Sequence, residues 1–184
     1  MPAAISKQPI DYKQLDNILS AAREDQVLFK AIVNTPFEEY QVQLAFLFLG
    51  IIVLLLVDPQ TNVINRTAIS TTDFAQQARD VSAIPFEKIK IELKEANNTI
   101  AQAIRSQTPQ GTTDWKSLFV PVMTARQGRF SQANAGIAYS IVYPFEARHG
   151  GALIFSYYQY KEMLGSAQEK FMRCYIELVV KHLS

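Results

Sequence analysis

The side chains able to do chemistry in this chain are few and scattered. Its 184 residues contain one cysteine, Cys174, and two histidines, His149 and His182. A single thiol can form neither an intrachain disulfide nor a cysteine-rich zinc cluster, and a lone free thiol fits a reducing cytoplasm. His149 falls in a hairpin turn and His182 near the C-terminus, and both read as solvated. No His-x-x-x-His spacing offers metal ligands on one helix face. There is no glycine-rich phosphate loop and no nucleophile elbow. Glu87, Glu92 and Glu95 are interleaved with Lys88, Lys90 and Lys94, the pattern of a solvated strand edge. No catalytic residue and no metal site is therefore assigned, and an enzyme is the reading the residues support least. The binding candidates are better placed. Asp114 beside Trp115 either orients a ligand or forms a turn. Tyr139, Tyr143, Phe155 and Tyr157 either line an aromatic pocket or pack a buried sheet face, and any buried hydroxyl among them needs a partner.

Those aromatics belong to the stretch that organises the chain, Ala135 to Tyr160. Ile137, Tyr139, Ile141, Tyr143 and Phe145 alternate with smaller residues, and Leu153, Phe155 and Tyr157 alternate with Ile154, Ser156 and Tyr158, which is the period of a strand. Gly150-Gly151 supplies the positive φ of a tight turn between strands 137–145 and 152–160. Both strands are apolar on both faces, so the hairpin sits inside a sheet covered on both sides. Leu44 to Val57 contains no polar residue. As a helix its fourteen residues would reach about 21 Å, short of the ~30 Å of a bilayer core. It reads instead as a helix end, a break at Gly50 and a buried strand from Ile51, with no membrane span. Asp58-Pro59-Gln60-Thr61-Asn62 turns the chain into a second strand, Val63 to Ile69.

The rest is read from caps and periodicity. Residues 1–10 form a flexible tail without the apolar core of a signal peptide. Asp11 caps a helix carrying Leu15, Ile18, Leu19 and Ala22, prolonged by Val27, Leu28, Ile32 and Val33 with a phase shift near Asp25. Thr35-Pro36-Phe37-Glu38 is a second helix start. Short helices are expected over Thr72–Asp80 and after Asn98, and a half-exposed strand over Pro85–Leu93. From Thr112 to Asn134 periodicity fails, and a loop that long in a compact domain is usually functional or mobile. Gly165–Ser184 closes the chain as a helix with Met172, Tyr175, Ile176, Val179 and Leu183 on one stripe and Phe171, Cys174 and Leu178 on the next. The net charge of +1 offers no basic field for nucleic acid.

The order of these elements, with three local motifs, resembles the GAF domain, a small-molecule sensor module related in fold to PAS. Ile51 to Asp58-Pro59 with Asn62 looks like the family's first strand and its Asp-Pro turn. Ala135-Gly136-Ile137 through Ser140 to Pro144-Phe145 looks like its Ala-Gly-Ile strand, and Gly151-Ala152-Leu153-Ile154-Phe155 like the strand that follows. The resemblance implies an α/β (α+β) fold over 11–184: an N-terminal helix (11–34), a core (36–164) and a C-terminal helix (165–184). A central antiparallel sheet would carry the terminal helices on one face and a ligand pocket on the other. It does not supply the ligand, and the cofactor is left unknown. Cys174 lies on the terminal helix rather than in the pocket region, which argues against a covalent bilin. The positions of His149 and His182 argue against haem. One cysteine cannot run the disulfide relay of the free-methionine-sulfoxide reductases of this fold.

Two functional readings follow. One is a cytoplasmic sensor that passes ligand binding to a signalling partner or an output domain through its terminal helices. The other is an interaction or scaffold domain with a filled pocket. In either case Leu15, Ile18, Leu19, Ala22, Met172, Tyr175, Ile176, Val179 and Leu183 present more apolar surface than one sheet face is expected to cover, so a homodimer through these helices is expected.

Overall fold

The central strand, β1 (Leu49–Asp58), is buried on both faces, as its continuous apolar run requires. In the computed structural model, which describes residues 9–184, β1 pairs antiparallel with β2 (Val63–Ile69) on one side and β6 (Gly151–Tyr157) on the other. With β3 (Lys90–Glu92), β4 (Gln110–Thr112) and β5 (Tyr139–Phe145), the sheet has six strands in the order β3-β2-β1-β6-β5-β4. The β5–β6 hairpin pairs Tyr139 with Tyr157, Val142 with Ile154 and Phe145 with Gly151. Two cores form, one on each face. Helices α1 (Tyr12–Ala21), α2 (Asp25–Phe46) and α7 (Ser166–Leu183) cover the first, against Ile52, Leu54, Leu153 and Phe155. Helices α3 (Asp73–Asp80), α4 (Thr99–Ser106), α5 (Lys116–Phe119) and α6 (Ala125–Asn134) cover the second, against Ile51, Val53, Leu55 and Ile154. The terminal helices thus share one face, and the short helices take the other.

Several local expectations change. The helix expected over 11–34 is two helices. Chain breaks at Ala22–Glu24 reconcile the phase shift, so that Leu15 and Leu19 on α1 and Leu28, Ile32 and Val33 on α2 are all buried. No new helix starts at Pro36; α2 runs through it and kinks at Tyr40 (φ −130°, ψ 36°). Proline has no N–H for the carbonyl four residues back. That carbonyl, on Ile32, instead accepts a 2.5 Å hydrogen bond from the buried Tyr175 hydroxyl on α7. The α2–β1 break falls at Phe48, in the left-handed conformation (φ 59°), rather than at Gly50. Only Lys90–Glu92 of the strand expected over 85–93 joins the sheet, because Phe86–Lys88 coils into a 3₁₀ turn that buries Phe86. Gly150 and Gly151 do not adopt positive φ. The connection is a wider loop, and Gly151 is required for closeness: a Cβ there would lie 2.3 Å from the Leu55 carbonyl oxygen. Of the expected flexible tail, residues 1–8 lie outside the described residues, whereas Ile10 packs against the first core.

The segment 112–134 is ordered. Thr124 and Gln127 form a reciprocal capping box that starts α6. The face α6 buries is made of Gly128, Ser131 and Gln132, small or polar residues that carry no apolar stripe. A Cβ at Gly128 would sit 3.2 Å from the Trp115 carbonyl oxygen and the Lys116 nitrogen, so glycine lets α6 lie on the backbone of α5.

Candidate ligand-binding site

The residues that matter most are brought together by an irregularity in β2. Leu54 pairs with Ala68 but Leu55 pairs with Arg66, so Thr67 is an extra residue bulged out of the ladder. A bulge inverts the alternation beyond it. Ile64 and Arg66 therefore face the second core, Ala68 turns to the first, and Ile69 returns to the second. Arg66 and Ile69 thus reach the same space beneath α3, α5 and α6.

That space is a partly enclosed cavity with about 40 Å³ of room for the centres of water molecules. Its floor is Ile51 and Val53 of β1, Arg66 and Ile69 of β2, and Ile154 and Ser156 of β6. Its walls and roof come from Ala78 and Arg79 of α3, Ser82, Phe86 and Ile89 in the segment after it, Trp115, Leu118 and Phe119 around α5, and Ser131 of α6. The lining is apolar except for two arginines and three serines, and contains no carboxylate. Arg66 is 9% exposed. Its Nε and Nη2 are covered and have no hydrogen-bond partner, and the same holds for the Ser131 hydroxyl. The guanidinium lies 4.5 Å from the ring centre of Phe119 and 5.7 Å from that of Phe86. Burial pulls its pKa down from 12.5 to about 9, which leaves it a cation at neutral pH. Arg79 is exposed and pairs with Glu87 at 3.5 Å.

The roof is pinned by hydrogen bonds. Gln132 accepts from the Trp115 backbone N–H (2.8 Å) and donates to the carbonyls of Thr113 and Ile137. The Trp115 indole N–H donates to Ser140 at 2.9 Å, and Ser140 bonds Ser156 at 2.8 Å. Asn98, fully buried, caps α4 and donates to the Val120 carbonyl. On the outside, Arg129 places Nε and Nη2 on Asp114 Oδ2 at 2.9 and 2.7 Å, and holds that carboxyl below the usual carboxylate range.

Of the six binding candidates read from the sequence, Trp115 lines the cavity. Asp114 lies outside it, as α5's anchor and Arg129's partner. Tyr139, Tyr143, Phe155 and Tyr157 lie on the opposite sheet face, in the core under the terminal helices. There the Tyr157 hydroxyl is buried without a hydrogen-bond partner. Arg66 and Ser131 were not anticipated. The available signal was that Arg66 is in phase with Ile64 in VINRTAI, an inward position in a strand.

The terminal-helix candidates also have definite places. Leu15, Leu19, Met172, Tyr175, Ile176 and Val179 are buried in the domain's own core, and Ile18, Ala22 and Leu183 are half-buried. The sheet face and the helices' mutual packing cover most of the surface that suggested a dimer seam. His182 is not solvated: its side chain is 11% exposed and sits 2.8 Å from Asp16, which Lys181 also contacts at 2.7 Å. His149 is exposed in the β5–β6 loop, and Cys174 is half-buried on α7, across the sheet from Arg66.

No protein-family profile and no curated protein sequence matches this chain. Solved structures do. The GAF domain of a phosphoenolpyruvate-protein phosphotransferase from Coxiella burnetii is 14% identical and superposes with a TM-score of 0.58, over 91% of this chain and 87% of that one. The fold is that of a GAF domain. The GAF domain of a two-component sensor histidine kinase from Bacillus halodurans is 10% identical, with a TM-score of 0.54 over 95% of each chain. The fRMsr of Staphylococcus aureus in its reduced form is 12% identical, with a TM-score of 0.53 over 96% of this chain and 97% of that one. At these identities the likeness is one of GAF fold. Among the described residues, no helix is long and apolar enough to cross a membrane, and Leu44–Val57 is divided between α2 and β1.

Proposed function

We propose that this GAF-fold domain is a sensor module that binds a small molecule between its sheet and the α3–α6 layer, without catalysis, and signals through its terminal helices. The observation that carries this reading is the cavity itself, built from three strands and the α3–α6 layer, with buried polar atoms left unpartnered on its lining. Native proteins rarely leave such atoms unpaired without a role. A route to the helices runs through β6. Ile154 and Ser156 line the cavity, while the intervening Phe155 packs edge-on against Phe171 of α7 at 6.1 Å. A ligand that shifts β6 would thereby favour one arrangement of α7 over another, which is the differential affinity that signalling requires. A partner protein or a second copy would read this layer through its accessible apolar side chains, such as Val42 and Phe46 of α2.

The small volume favours a second reading, an interaction domain whose pocket is filled. The test is amide exchange of the whole chain against a panel of small metabolites. A binder that protects amides of β2, α5 and α6 and also alters exchange in α7 supports the sensor. A panel without any binder supports the filled-pocket domain.

A further inference from the structure

We propose that the cavity is a receptor site for a small organic monocarboxylate, gripped by the guanidinium of Arg66. This deepens the sensor reading and rests on it. Nε and Nη2 of Arg66 are the two nitrogens without partners. Their N–H bonds point side by side, the fork that matches the two oxygens of one carboxylate. No acidic residue shares the lining, so the positive charge is uncompensated from within the cavity. The rings of Phe119 and Phe86 lie near the guanidinium and fix its position, but they satisfy neither N–H. Arg66 shares the inward phase of Ile64, and the bulge at Thr67 brings Ile69 to the same side; without it Arg66 and Ile69 would face opposite sides of the sheet.

Size and polarity narrow the class. One water needs about 10–15 Å³ by this measure, so about 40 Å³ holds roughly three water positions. A ligand of roughly three to six non-hydrogen atoms fits with small side-chain adjustments. One buried guanidinium balances one negative charge, which favours a monoanion over phosphate or sulfate. Apolar walls such as Ile69 and Leu118 suit a short carbon body, and the free Ser131 hydroxyl can bond a hydroxy or oxo group on it.

The test uses the whole chain, stripped of bound molecules by unfolding and refolding, in calorimetric titrations and thermal shifts. The probes are acetate, propionate and lactate, their neutral amides, and inorganic sulfate and phosphate. Saturable binding of the carboxylates is expected, with none for acetamide or propionamide. Arg66→Met should lower affinity at least tenfold. Arg66→Lys, which keeps the charge and loses the fork, should bind several-fold more weakly and serves if the methionine variant fails to fold. Ser131→Ala should weaken lactate more than propionate. Amides binding as well as acids, inorganic anions binding alone, or wild-type affinity in the Arg66 variants would overturn the carboxylate assignment while leaving a binding pocket. Binding of none of these probes would overturn the carboxylate assignment. If the metabolite panel also lacked a binder, the pocket reading would fall with it.

Discussion

A buried cation without a hydrogen-bonded partner should destabilise the fold that contains it. Replacing Arg66 with methionine therefore tests whether Arg66 is kept for binding or for structure. The fall in its pKa from 12.5 to about 9 corresponds to about 5 kcal/mol of desolvation cost, at ~1.4 kcal/mol per pH unit. Because the folded-state value lies below the unfolded one, the penalty is fully present at neutral pH and is relieved only as pH rises above about 9. The contacts with Phe119 and Phe86 return about 1–2 kcal/mol each. Methionine keeps much of the apolar stem and removes the charge, so a net stabilisation of about 1–3 kcal/mol is expected for the ligand-free protein. For a domain of this size that is a rise of roughly 3–10 °C in Tm. Differential scanning calorimetry on stripped wild-type and Arg66→Met protein reads it directly. Added lactate should then raise the wild-type Tm more than that of the variant, since the wild type gains more binding energy. A variant less stable than the stripped wild type by more than about 1 kcal/mol would show that the guanidinium is a structural prop, and the reasoning would fail.

Two further outcomes probe the scaffold. Tyr175→Phe leaves the Ile32 carbonyl, freed by Pro36 and buried, without its donor, and should cost about 1–3 kcal/mol in urea unfolding; an unchanged midpoint would mean that the α2–α7 contact rests on packing alone. Arg129 lowers the Asp114 pKa below its unfolded value, so their pairing stabilises the roof above the ordinary carboxylate range and is lost as pH falls through the folded value. Lower amide protection in 113–134, taken relative to the intrinsic exchange rate at the same pH, is expected as pH falls below the ordinary carboxylate range and, at neutral pH, in Asp114→Asn; unchanged protection in both would show the pair to be idle.

How far the sequence reached depends on how each element announces itself. The β5–β6 hairpin, β1 and β2 were legible because alternation and an uninterrupted apolar run are direct consequences of burial. Helix α6 was not, because it buries Gly128, Ser131 and Gln132 and so lacks the apolar period by which a helix is recognised; the Thr124–Gln127 capping box was its one overt sign. Periodicity grouped Tyr139, Tyr143, Phe155 and Tyr157, correctly, on one sheet face. It could not say which helical layer covers that face, and the layer is that of the terminal helices. Arg66 was hidden for a related reason. A lone charge in a strand reads as solvent-facing even where, like Arg66, it is in phase with an inward Ile64, and the bulge that brings Ile69 to the same side depends on the pairing of Leu54 and Leu55 with β2, which no local pattern encodes.

The most direct measurement is the ¹H–¹⁵N correlation of the Arg66 side chain, assigned by its loss in Arg66→Lys and followed while lactate is added to stripped wild-type protein. Capture of a carboxylate by the Nε–H should move that signal downfield in a saturable titration, with lactamide leaving it in place. An Arg66 Nε–H signal unmoved by lactate, acetate and propionate would contradict the assignment of this cavity as a carboxylate receptor.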